Sequence, residues 1–284
     1  MKIFTKNGVR LLGIISIGIL AIAAAKPLII FLDCHIFDER IRGLYGRHLA
    51  KERWELAPRI PGDMNYMWLD SRGGMVRIGH ALGSSGTEIA NQLGALSAAR
   101  QASLNVLEVD LWLDDMGNLR CFHGPGDPGP ATARSCTLER LLSATQSHGE
   151  YIILDIKTNF AETSNAVTQV LNKRPEARRR IIYQLYHPGD VKFFANLPHV
   201  KEYAGPIMTA YVSRSSLSDF VEGARHIGVK AVTFPFTRRH ALPTKPHDMV
   251  FLVHPVHDCG TLAVSQSAGY DGIYTLSSLS CATR

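Results

Sequence analysis

From Met75 onward the chain alternates between two textures: short runs that are apolar throughout, and longer segments with apolar residues every three or four positions. The short runs are "MVRIGH", "NVLEVDLWL", "YIILDIK", "RIIYQLY", "PIMTAYV", "VKAVTF", "MVFLVHP" and "GIYTL". Strands covered on both faces read as continuous apolar runs, whereas half-exposed strands alternate, so these runs predict parallel strands. Segments between them, such as "GTEIANQLGALSAARQ" and "SNAVTQVLNKR", have the length and spacing of crossover helices. Eight β-then-α units predict an α/β fold, a (β/α)8 TIM barrel, over residues 75–284. A doubly wound sheet is the alternative, but no glycine-rich dinucleotide fingerprint follows the first run. A further run, "GNLRCFH", predicts an extra strand returning beside "EVDLWL" through the turn "DDMGN".

Ahead of the barrel the pattern changes twice. Lys2, Lys6 and Arg10 precede "LLGIISIGILAIAAA", and after Lys26 the apolar character resumes as "PLIIFL". Residues 1–32 therefore predict an N-terminal transmembrane anchor helix, since about 20 apolar residues span a bilayer. A secretory signal cleaved after Ala25 is the competing reading, and a buried structural helix a third. The anchor and the signal both place the rest of the chain outside the cytoplasm, periplasmic or extracellular, because the positive charge lies on the N-terminal side. Residues 33–74 are mixed in character and contain "APRIPGD", which reads as a linker.

Composition narrows the function classes. With 45% hydrophobic and 20% charged residues the chain is globular rather than disordered. The net charge of +6 is partly local, in Lys173, Arg174, Arg178, Arg179 and Arg180, and no aromatic interleaving supports a nucleic-acid groove. Five cysteines, Cys34, Cys121, Cys136, Cys259 and Cys281, suit an oxidising compartment. The last four allow three disulfide pairings, with free buried thiols as the alternative. No CxxC or Cys/His cluster has zinc spacing, which argues against a structural zinc.

Barrel active sites are built at the C-terminal ends of strands, so polar residues there are the candidates. They are His80, Glu108, Asp110, His123, Asp155, Lys157, Gln184, His187, Tyr211, His254 and His257. Residues i and i+2 of a strand share a face, so Glu108 and Asp110 point one way, as do Asp155 and Lys157. Three acids converging in a low-dielectric mouth repel one another unless a cation offsets them. A single hard divalent ion with oxygen ligands, Mg²⁺ or Ca²⁺, answers that need. His80 and His123 end adjacent strands and suit proton transfer to and from a substrate between them. Lys157 adds a point charge for an anionic oxygen. Metal, two acid/base groups and a cation together describe phosphoryl-ester chemistry.

At these residues the chain resembles the glycerophosphodiester phosphodiesterase family, a branch of the phosphatidylinositol phospholipase C-like phosphodiesterases, from Met75 to about Ser278. The resemblance rests on "IGHALG" for a His-Arg-Gly opening, "LEVDLWLDDMGNLRCFHG" for Glu-x-Asp and a strand ending in His-Asp, and "LDIK" for Glu-x-Lys. "HPVHD" stands for a Trp-Thr-Val-Asn segment and "GYDGIYT" for the closing Gly-x-Asp-Gly strand. It implies a metal held by Glu108, Asp110 and Asp155, and His80 and His123 as general acid and base. Substrate contacts are expected from Lys157, Gln184, Tyr211, His254 and His257. The family's Arg is Ala81 here, its Glu is Asp155, and His-Asp becomes His-Gly at Gly124. The last two departures resemble the sphingomyelinase D branch. The activity this implies is metal-dependent hydrolysis of glycerophosphodiesters or phospholipid head groups. Alternatives are phospholipase D or sphingomyelinase D-like action on intact membrane lipid, and a catalytically silent barrel that binds lipid or an envelope partner.

Overall fold

The computed structural model describes residues 53–70, 74–124, 136–210 and 216–281. All lie in the second of two compact units, Lys51–Arg284. Its strands are β1 Val76–Gly79, β2 Val106–Leu113, β3 Leu119–Cys121, β4 Tyr151–Ile156, β5 Ile181–Leu185, β6 Ile207–Thr209, β7 Ala231–Pro235, β8 Val250–Val256 and β9 Gly272–Thr275. Every apolar run that predicted a barrel strand forms one. β1 pairs in parallel with β2 on one side and β9 on the other, which closes the sheet into an eight-stranded barrel. β3 lies outside this ring as an antiparallel partner of β2. The turn between them follows from Asp114, whose carboxylate accepts from the N–H groups of Met116 and Asn118, and from Gly117 at φ 80°. Glycine tolerates that left-handed backbone without a Cβ clash.

The helices are α1 Leu96–Gln101, α2 Leu138–Thr145, α3 Phe160–Asn172, α4 Pro188–Phe194, α5 Leu217–Ile227 and α6 Cys259–Ser267. Local chemistry sets their ends. The side chains of Thr137, Asn159, Ser216 and Asp258 accept the orphan N–H groups of α2, α3, α5 and α6. Gly228, at φ 89°, ends α5. The segment 86–101, expected to be helical throughout, is helical only at its end. Gly86 and Asn91 take positive φ, so residues 81–92 form a series of turns over the barrel mouth before α1 begins.

Two apolar layers hold the barrel. Val167, Leu171, Phe220, Ala224 and Ile227 pack the helices onto the outer strand faces. Inside, Ile78, Val106, Ile153, Ile182, Ile207 and Leu252 fill the lower barrel, with Trp68 beneath them. The Trp68 indole N–H donates to Gly205 O at 3.0 Å, so burial leaves no orphaned donor. Trp54 meets the Phe220 ring edge-on at 5.5 Å. Residues 53–70, within the stretch read as a linker, thus carry buried anchors on the barrel wall; the rest of 33–74 apart from Gly74 lies outside the described residues, as does the 1–32 segment. Among the described residues no helix is long and apolar enough to cross a membrane.

Disulfides join Cys121 to Cys136 and Cys259 to Cys281, one of the three pairings that sequence allowed. The first ties the end of β3 to the start of α2, and the second ties α6 to the chain beyond β9.

Candidate active site

The upper barrel interior is polar because the pleat of β2 brings Glu108 and Asp110 inward and the β2–β4 register sets Asp110 directly beside Asp155. Glu108, Asp110 and Asp155 are 2%, 5% and 6% exposed, and one oxygen from each lies within 4.8 Å of the others. Each is held by specific partners. The Glu108 carboxylate accepts from Ala81 N–H at 2.7 Å. Asn91 donates to Asp110 Oδ2 at 2.7 Å and accepts from Asp110 N–H at 3.0 Å. Asp155 Oδ1 accepts from the Tyr186 hydroxyl at 2.7 Å, and Tyr186, Gln184 and Tyr274 continue as a hydrogen-bonded chain along the cavity lining.

Lys157 lies between two of the acids, 2.9 Å from Asp110 Oδ1 and 2.7 Å from Asp155 Oδ2. Three carboxylates against one ammonium leave the cluster anionic. Burial, followed by the charges of Asp110 and Asp155, pushes the Glu108 carboxyl well above its ordinary value. Burial also raises Asp155, against the pull of Lys157. Burial alone would push the Lys157 ammonium down; Asp155 and Asp110 outweigh it and hold it up. A buried all-oxygen donor set with excess negative charge fits a hard divalent cation, and does not fit a soft metal that needs sulfur or imidazole.

Three histidines, His80, His254 and His257, cluster at the ends of β1 and β8. His80 follows β1, its N–H bonded to Thr275 O. His80 Nε2 is 3.0 Å from His254 Nε2, and His80 Nδ1 is 3.1 Å from His257 Nε2. Burial first, then His257, Lys157 and His123, pushes His80 down to about 3. Burial also holds His254 well below and His257 below the usual imidazole value. His123 is brought to the mouth by Phe122, whose N–H donates to Asp110 O at 2.9 Å. It stays exposed, while Gly124 beside it, at φ 149°, lies against the Trp112 ring.

One cavity of about 1090 Å³ collects His80, Glu108, Asp110, His123, Asp155, Lys157, Gln184 and His254. One expected substrate contact stands elsewhere. His257 is behind His80 rather than on the cavity wall, three positions on from the inward-facing His254. Tyr211 lies outside the described residues. His187, a strand-end candidate, is exposed at the start of α4. Sequence reasoning missed Asn91, Tyr186, Tyr274 and Trp112. Of these Asn91 carried a signal, since a left-handed backbone favours Asn, but nothing local revealed its pairing with Asp110.

No family model matches the chain. A segment of 111 residues is 30% identical to atrial natriuretic peptide receptor 2 of Bos taurus, but it covers 36% of this chain and 10% of that protein. Solved structures align over most of the barrel. A phosphodiesterase of Oleispira antarctica, in complex with the product sn-glycerol-3-phosphate, superposes with TM-score 0.54 at 17% identity over 70% of this chain and 92% of its own. A glycerophosphodiester phosphodiesterase of Parabacteroides distasonis gives 0.56 at 17% identity over 72% and 94%. That of Thermotoga maritima gives 0.51 at 19% over 71% and 94%. The chain therefore shares its barrel fold with solved glycerophosphodiester phosphodiesterases.

Proposed function

We propose that this protein is a metal-dependent phosphoric diester hydrolase acting on glycerophosphodiesters or phospholipid head groups. The observation that carries it is one cavity holding three buried carboxylates, Lys157, and the rings of His80 and His123. Shared fold with phosphodiesterases supports the reading.

Glu108, Asp110 and Asp155 would hold one Mg²⁺ or Ca²⁺ ion. When bound, the ion supplies Lewis-acid stabilisation of phosphoryl oxygens. Lys157 adds a cation for the same oxygens. His80, held neutral by its surroundings, has a lone pair for the proton of the attacking water or of a neighbouring substrate hydroxyl. The anionic substrate raises its basicity on binding, as any nearby negative charge favours imidazolium. Exposed His123, which lines the same cavity, protonates the leaving alcohol. The absence of an arginine at Ala81 leaves phosphate recognition to Lys157 and the ion.

Residues 1–32 would hold the barrel to a membrane on its extracytoplasmic side, or direct its secretion if cleaved. The Cys121–Cys136 and Cys259–Cys281 disulfides support that compartment, since such bonds persist where the milieu is oxidising. The test of the activity is replacement of Glu108 by Gln and, separately, of His123 by Ala. Each abolishes divalent-ion-dependent release of product from glycerophosphodiesters; unchanged rates in both overturn the proposal.

A further inference from the structure

The cavity accounts for most of the polar residues at the barrel mouth, but not for His257. Its ring is half-buried behind His80, outside the cavity lining, with Nε2 3.1 Å from His80 Nδ1 and the two rings stacked at 29°. On the other side His254, a cavity residue, meets His80 Nε2 at 3.0 Å. A neutral imidazole has one N–H for two ring nitrogens, and its partner on one nitrogen decides which carries the proton.

We propose, resting on the phosphodiesterase reading above, that His257 is a positioning residue which accepts the His80 Nδ1 proton. This fixes the His80 ring and leaves its Nε2 lone pair toward the cavity for proton transfer. His254 then donates its Nε2–H to that lone pair in the substrate-free protein. The array has two possible proton patterns, and Lys157, on the cavity side, favours the one that leaves a lone pair rather than an N–H facing it. The Asp258 carboxylate is the charged group that acts favourably on His257. The other titratable groups facing the array are Lys157 beyond β4, His123 beyond β3, Asp110 in β2 and Tyr274 in β9, whose ring is 6.5 Å from that of His80. A substrate contact would sit on the cavity wall; His257 does not.

The experiment compares wild type, His257→Ala and His257→Asn in the full chain with the divalent ion present. Loss of an orienting partner of this kind costs about tenfold to a hundredfold. The alanine variant should lose that factor in kcat with KM within about twofold, and asparagine, whose side-chain oxygen can accept the same proton, should recover most of it. Nitrogen-15 spectra of ring-labelled protein should show His80 protonated on Nδ1 in wild type, and a mixture of tautomers in His257→Ala. A rise in KM at constant kcat would make His257 a substrate contact and overturn the proposal, as would a His80 protonated on Nε2 alone in wild type. Wild-type protein inactive on every phosphodiester refutes the functional reading instead, and the spectra then decide the positioning role by themselves.

Discussion

Replacing Glu108 by Gln should stabilise the protein without its ion and destabilise it relative to wild type with the ion. Glu108 is 2% exposed, and its ligand oxygen lies within 4.8 Å of those of Asp110 and Asp155. Two like charges at that separation repel by about 3.5 kcal/mol at an effective dielectric constant near 20. Lys157 offsets part of this, but its ammonium is engaged with the other two acids at 2.9 and 2.7 Å. Glutamine removes the charge and keeps an oxygen to accept from Ala81 N–H. After partial protonation of the wild-type carboxyl is allowed for, a gain of about 2 kcal/mol remains in chelator. That is a rise in melting temperature of roughly 4–8 °C for a domain of this size. An ion at a hundred times its dissociation constant stabilises the wild type by about 2.7 kcal/mol, and the variant by far less. Thermal unfolding of both proteins in chelator and in Mg²⁺ or Ca²⁺ gives all four numbers. A variant less stable than wild type in chelator, or one that gains as much from the ion, would refute the electrostatic reasoning.

Asn91→Ala removes both bonds to Asp110 and places alanine at φ 57°, so ion affinity measured by calorimetry should fall about tenfold to a hundredfold. Asn91→Gly relieves the backbone and restores stability but not affinity; equal affinity in both variants and wild type contradicts the role. His80 is held at about 3 when folded against an ordinary 6.5, so the folded protein keeps it neutral while the unfolded chain takes up a proton. Stability contributed above pH 6.5 is therefore lost as the pH falls toward 3, and denaturation midpoints of His80→Asn should fall less over that range than those of wild type. His254 and His257, also held down, add to the slope, so the variant flattens it without removing it. Converting Cys121 and Cys136 to Ser opens a loop with a separation of 15 residues and should cost about 3 kcal/mol in denaturant unfolding. An unchanged midpoint would show that the bond does not constrain the unfolded chain.

The barrel was legible because its strands are buried on both faces: β2 reads as an apolar run interrupted only by Glu108 and Asp110. Strand ends then located His80, His123, Asp155 and Lys157, and parity alone placed the acids on one face. Sequence could not give the β2–β4 register, which sets Asp110 beside Asp155 and is decided by contacts far apart in the chain. It also misread 86–92 as helix, because Ile89, Ala90 and Leu93 keep a helical spacing while Gly86 and Asn91 turn the backbone across the mouth. His257 was expected in the cavity from its place just past a strand end and from the resemblance of "HPVHD", although three positions on from His254 strand parity sets it on the other face.

The central claim is that the carboxylate triad makes phosphodiester hydrolysis depend on a divalent ion. Its most direct measurement is release of glycerol phosphate from glycerophosphodiesters by the purified protein as prepared, after exhaustive chelation, and after return of Mg²⁺ or Ca²⁺. The account predicts hydrolysis that chelation abolishes and one of these ions restores. Hydrolysis at the same rate in chelator, or none with either ion, would contradict it.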